Sequence, residues 1–218
     1  VGSEMCIRDR NIGLLKLIAL FSYYKCYIYN MNPLITLCRK FGPISFDIEK
    51  ELDFKTQIKV YEKDTFFIKE GQIVSSLFVI EKGLVRSFYM KEDREIIDWF
   101  GFENIPLGAT MPLFFNRPSL QNIQFLETST IHYISNSDLN TLYNKYNEMN
   151  TIGRRMTEEF CRIMEERSWS LQTESAEQRY LNLIKSEPEI LQRVSLRHIA
   201  SYLGITQETL SRIRSKRI

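Results

Sequence analysis

Between residues 54 and 135 apolar positions alternate with polar ones in short runs, a pattern that predicts strands over 58–61, 65–68, 77–80, 84–89, 95–100, 121–125 and 130–134. Turn signals separate the runs. Gly71 follows Lys69 and Glu70, Gly83 follows Glu81 and Lys82, and the tetrad Lys91, Glu92, Asp93 and Arg94 joins two aromatic-rich stretches as a hairpin would. Strands at this spacing predict a compact antiparallel sandwich or barrel. After Ser135 the apolar period lengthens to about 3.6, from a cap placed at Ser137 with Asp138 in the first turn.

The longest predicted helix covers 147–172. Its Met149, Ile152, Met156, Phe160, Ile163, Met164 and Leu171 share one stripe. Gly153 lies in that stripe and would admit a second backbone, while Arg154 with Glu158, Arg155 with Glu159 and Arg162 with Glu166 are spaced to pair along its flanks. Such a helix spans about 39 Å, longer than one face of a small domain. Met149, Ile152, Met156, Phe160 and Ile163 are therefore expected to form a dimer seam, with packing on the chain's own β domain as the alternative. A polar break at 173–175 precedes a helix over 176–186, capped by Ser175 and stopped before Pro188.

The last segment, SLRHIASYLGITQETLSRIRSKRI from Ser195, is the most informative. Leu196, Ile199, Ala200 and Leu203 recur at helical spacing behind the cap Ser195, and Gly204 closes that helix. Thr206 caps the next one, so Gly204, Ile205 and Thr206 form the short connection of a helix-turn-helix. Ala200 lets the two helices cross closely. On the second helix Gln207, Glu208, Ser211, Arg212 and Ser215 fall on one face, and Leu210 and Ile213 on the other. An apolar face docked on the domain with a polar face turned outward suits a DNA groove. Arg212 has the geometry to pair with guanine, Glu208 to accept from cytosine and Gln207 to pair with adenine, with Ser211 beside them. Arg197, Thr206, Arg214, Lys216 and Arg217 are expected at phosphates. The alternative is a solvated amphipathic helix with a basic tail.

Charge supports the first reading. The 218 residues carry a formal charge of only +2, yet residues 193–218 hold six Lys and Arg against Glu208 alone, so one end is basic and suited to an anionic partner. Cys6, Cys26, Cys38 and Cys161 have neither zinc-ligand nor redox-dithiol spacing, and no metal or cofactor is expected. The apolar run 12–24 is too short and interrupted for a membrane span and lacks a signal cleavage site. Residues 1–30 are taken as a non-native extension, with Met31 as the start. A cytoplasmic location without membrane contact follows.

The order of β-roll, long helix and helix-turn-helix resembles the Crp/Fnr family of transcription regulators. The resemblance rests on FVIEKGLVR (78–86), WFGFEN (99–104) and the run from Ser195. It implies an α+β fold: an N-terminal antiparallel β-roll of the cyclic-nucleotide-binding type over 31–146, a dimerisation helix over 147–172 and a helix-turn-helix domain over 173–218. It also implies a non-enzymatic homodimer that reads a palindromic duplex through Gln207, Glu208 and Arg212, with RNA polymerase and an unidentified small-molecule effector as further partners. Two departures stand out. Cyclic-nucleotide members carry Gly-Glu and later Arg-Ser in a phosphate cassette, where this chain has Gly108 and Ala109, then Pro118 and Ser119. Only Arg117 is near enough to replace the missing arginine, so cyclic AMP is not expected to bind in the usual way. Many members also have a β-hairpin wing after the recognition helix, expected here to be reduced or absent. A metal-dependent cupin enzyme would need a histidine cluster, and His132 is the roll's one histidine, His198 lying in the C-terminal motif. A sensor acting through protein contacts with a vestigial DNA domain stays open.

Overall fold

The computed structural model describes residues 32–215, so the expectations for residues 1–30, Lys216 and Arg217, and that for a wing beyond them, lie outside the described residues. Two helices come first, α1 (Pro33–Phe41) and α2 (Phe46–Lys55). The Ser45 hydroxyl accepts the Ile48 N–H, and Asp47 and Glu49 favour the positive end of α2. Cys38 is buried in α1, which pushes its thiol up to about 12 and leaves it unreactive.

Eight strands follow: β1 (Gln57–Tyr61), β2 (Phe66–Ile68), β3 (Ser76–Lys82), β4 (Val85–Lys91), β5 (Arg94–Gly101), β6 (Pro106–Leu107), β7 (Asn122–Phe125) and β8 (Ser129–Ser135). They form two four-stranded sheets, ordered β1-β8-β3-β6 and β2-β7-β4-β5, with antiparallel pairing throughout. The charged tetrad is the β4–β5 hairpin turn, with Lys91 opposite Arg94. Phe67, Ile68, Phe78, Ile80, Val85, Ile123, Phe125 and Ile131 fill the space between the sheets. A short helix, α3 (Thr110–Phe115), interrupts the roll between β6 and β7.

Helices make up the rest of the described residues: α4 (Asn136–Lys145), α5 (Asn147–Thr173), α6 (Ala176–Ser186), α7 (Ile190–Arg193), α8 (Leu196–Tyr202) and α9 (Gln207–Ser215). A second core joins Leu84, Phe88, Ile97 and Phe100 of the roll to Tyr180, Leu183, Ile190, Ile199, Leu203 and Leu210 of these helices. This explains β4, where Val85, Arg86, Ser87 and Phe88 are all buried in place of an alternating pattern. There the sheet is covered on both faces.

Three local expectations are corrected. The cap of α4 is Ser135, whose hydroxyl accepts the Asp138 N–H, two residues before Ser137. Ser135 ends β8, so strand and helix share a residue. Gly153 makes room for a side chain of its own chain: a Cβ there would lie 2.9 Å from the Tyr143 hydroxyl. Arg155 donates to the Phe41 carbonyl at 2.7 Å, and Glu159 pairs with Arg162, so the expected Arg155–Glu159 pair is replaced.

Gly83 is the tightest point of the roll. Its φ is +122°, and a Cβ would stand 2.1 Å from the Ser129 hydroxyl oxygen and 2.8 Å from the Ser129 backbone. Gly83→Ala therefore combines backbone strain with a clash that no rotamer relieves. Urea unfolding should show a loss of about 3 kcal/mol; an unchanged midpoint would mean that the β3–β4 turn is free to move.

Candidate nucleic-acid interface

The helix-turn-helix geometry is built from local rules. Ser195 caps α8 by accepting the His198 N–H, and Gly204, at φ +67°, ends it. The Ile205 N–H bonds to the Ala200 carbonyl at 3.0 Å and the Gly204 N–H to the Ser201 carbonyl at 3.0 Å, a Schellman closure. The Thr206 hydroxyl then accepts the Thr209 N–H at 3.2 Å and starts α9. Ala200 is buried at the crossing, where a larger side chain would separate the helices.

Gln207, Glu208, Ser211, Arg212 and Ser215 are exposed on α9, while Leu210 is fully buried. Arg212 donates to the Thr209 hydroxyl at 3.2 Å, a weak neutral contact that leaves most of its guanidinium donors to solvent. Glu208 is held below the usual carboxylate range, first by a hydrogen bond from Thr206. Thr206 is exposed and Arg214 half-buried. Arg197 is exposed at the start of α8, close enough to Glu95 to lower its carboxyl. Arg193, counted with the basic end, is spent internally: it binds Glu103, Glu127 and the Gly83 carbonyl at 2.8 to 3.0 Å.

The sequence gives no sign of how this motif meets the roll. The Ser201 hydroxyl donates to the Glu95 carbonyl at 2.8 Å and accepts the Ile97 N–H at 3.0 Å, thereby occupying the edge of β5. Arg86 grips Glu95 with two bonds of 2.7 and 2.8 Å and lies 2.9 Å from His198 Nε2. The Phe100 and Tyr202 rings meet at 5.3 Å between centroids.

Along α5 the expected seam divides. Met149 and Ile152 are each 1% exposed within their own chain, packed at the base of the helix, so they are not available to a partner. Further along, Phe160, Ile163 and Leu171 are 41%, 45% and 43% exposed, and Met156 is half-buried. The free stripe thus begins at Met156, about two turns later than expected.

Between the roll and α5 lies a cavity of about 460 Å³, walled by Trp99, Phe100, Leu107, Leu120, Phe160 and Ile163, with Asp98, Tyr89 and Gln121 as polar groups. Gly108 and Ser119 also line it. Ala109 is fully buried and Arg117 is exposed, and neither lines the cavity. Arg117 follows Asn116, a left-handed residue that turns the chain outward after α3. Ser119 is committed to the loop backbone, donating to the Gln121 carbonyl at 2.7 Å. His132 pairs with Glu81 at 2.8 Å on the far sheet. Among the described residues no cluster could hold a metal ion, and no helix is long and apolar enough to cross a membrane.

Residues 58–146 match the cyclic nucleotide-binding domain family. No curated protein matches the chain. Solved structures do: FixK2 from Bradyrhizobium japonicum aligns at 21% identity and a TM-score of 0.65, over 74% of this chain and 83% of that one. The c-di-GMP responsive global regulator CLP of Xanthomonas campestris aligns at 16% identity and TM-score 0.61, over 79% and 91%. A CooA mutant from Carboxydothermus hydrogenoformans aligns at 16% and 0.61, over 86% and 84%. The chain shares the fold of these three structures.

Proposed function

We propose that this chain is a homodimeric, sequence-specific DNA-binding transcription regulator, not an enzyme, whose β-roll senses a small molecule. The observation that carries the reading is the polar face of α9: Gln207, Glu208, Ser211 and Arg212 all reach solvent while Leu210 anchors the helix in the domain core. Base edges are read by Gln207, Glu208 and Arg212, and Arg197, Thr206, Arg214, Lys216 and Arg217 contact phosphates. Two copies joined along the exposed part of α5 present two such helices to half-sites about 34 Å apart. The fold of known regulators over most of the chain supports the same reading.

The experiment is selection of a duplex from a random pool followed by titration of single-base variants. Arg212→Ala should lose about 1–3 kcal/mol of discrimination at one base pair per half-site, with a smaller loss on non-specific DNA. Equal losses on both would reduce Arg212 to a phosphate contact and remove the base-reading role.

A further inference from the structure

The cavity at the cassette has the wrong polarity for an anion. None of its lining residues is a lysine or arginine, and its one charged group is the Asp98 carboxylate. Asp98 is half-buried, and desolvation raises its carboxyl above the usual range. The hydrogen bond it accepts comes from the Tyr89 hydroxyl at 3.2 Å, which leaves acceptor sites on a carboxylate that offers about four. Arg167, whose charge acts on Asp98, is committed elsewhere: it donates to the Tyr202 carbonyl and stacks 3.8 Å from that ring's centroid. Apart from the neutral polar groups of Thr110, Ser119 and Gln121 the remaining walls are apolar and aromatic, and the volume lies within the range of small-molecule sites.

We propose that this cavity binds a small aromatic or aliphatic molecule bearing a protonated amine or amidine, which pairs with Asp98 while its apolar body packs against Trp99 and Phe160. The inference rests on the reading of the roll as a sensor, and names the class of ligand sensed. An anion placed there would be desolvated beside a second negative charge, whereas a cation gains the carboxylate and the faces of the aromatic rings. The site is also placed to act on the DNA motif. Asp98, Trp99 and Phe100 line the cavity from β5, and Glu95 and Ile97 of the same strand hold Ser201 of α8. A ligand that shifts β5 changes the seat of the helix-turn-helix within three residues.

The test uses the full chain in its native oligomeric state, titrated by calorimetry with 2-phenylethylamine, its near-isostere 3-phenylpropionate, and cyclic AMP. The amine should bind saturably and at least about tenfold more tightly than the carboxylate. Asp98→Asn should abolish that preference, and amine quenching of Trp99 emission, read in a Trp169→Phe background, should report the same site. In the unsubstituted protein the amine's affinity should fall as acid protonates Asp98, whose facing groups are Tyr89 and Arg167. Equal or tighter binding of 3-phenylpropionate or cyclic AMP, a preference that survives both Asp98→Asn and acid, or no saturable binding by the amine would each overturn the proposal. Duplex binding measured without any of these compounds fails or succeeds independently, so an error here is distinguishable from an error about DNA.

Discussion

Phe160→Glu is expected to turn a dimer into a monomer and to lower affinity for a palindromic duplex by about 10²–10⁴-fold. Phe160 is 41% exposed in the single chain, with Ile163 and Leu171 continuing the same stripe, so the ring has apolar area left to bury. A carboxylate placed in the centre of a closed seam would lose its hydration without gaining a partner, a cost of several kcal/mol. The loss on DNA follows from geometry. One α9 helix retains only its half-site contacts, and the second no longer engages as an intramolecular event. Sedimentation velocity and duplex titration measure the two effects separately. Because Phe160 and Ile163 also wall the cavity beside α5, Met156→Glu, outside that wall, serves as the second variant and Met149→Glu as the contrast. Met149 is buried at the base of the helix, so its substitution should unfold that region without yielding a folded monomer. A folded Phe160→Glu protein that stays dimeric would place the contact elsewhere.

The contrast between Met149 and Phe160 also shows where the sequence is informative. Periodicity puts both residues on one side of α5, and it does so correctly. It says nothing about how far up the helix the roll reaches, because that depends on α1, which meets the base of α5 from a distant part of the chain, and on how Tyr143 of the adjoining α4 packs on Gly153. Seven of the eight strands are legible because turn residues bound them, whereas the two-residue β6 has no counterpart in the pattern and β4, covered on both faces, does not alternate. The helices before the strands are less legible. In α2 the apolar residues Phe46, Ile48, Leu52 and Phe54 suit neither period well, and only Ile48 and Leu52 are buried, while Phe54 is 89% exposed. The helix-turn-helix is legible almost residue by residue, because caps, the Gly204 closure and the Ala200 crossing are all local devices.

The functional surfaces divide in the same way. The face of α9 could be read from spacing alone. The cavity could not, since Asp98, Gly108, Ser119 and Phe160 come from four separate elements. Arg117 stands one position before the Pro118–Ser119 pair in sequence, yet the left-handed Asn116 carries it to the surface. Basic charge near the C-terminus is likewise an incomplete guide. Arg193 resembles its neighbours in sequence, and only the fold reveals Glu103 and Glu127 around it, from the opposite side of the second core.

Arg86, the last residue of the FVIEKGLVR segment, should be the most costly polar side chain to remove. It is 6% exposed, holds Glu95 with two bonds, donates to Gln124 at 2.9 Å and contacts His198. Its guanidinium also lies 4.2 Å from the Phe88 ring centroid. Arg86→Ala leaves Glu95 without its counter-charge and Gln124 without its donor, with an expected loss of about 3 kcal/mol in urea unfolding; Arg86→Met, which keeps the stem's packing, should recover only part of it. A loss below about 1 kcal/mol would assign the group a surface role. The same cluster predicts a pH response. His198 Nε2 lies 2.9 Å from a donor nitrogen of Arg86, so it acts as an acceptor and the ring is neutral. Burial first, and then the Arg86 charge, lower the His198 pKa below its ordinary 6.5, against a smaller opposing pull from Glu95 and with Arg197 adding to the repulsion. The folded protein therefore binds fewer protons here than the unfolded chain. Stability from this contact is complete well above pH 6.5 and declines as pH falls through and below that value. Glu95, lowered chiefly by its hydrogen bonds from Arg86, adds loss in the same direction at more acid pH. His198→Gln, which keeps an acceptor for Arg86 and cannot be protonated, should flatten the decline just below pH 6.5 while leaving the more acid loss in place. An unchanged slope in that variant would mean that protonation of His198 does not loosen the contact between α8 and the roll.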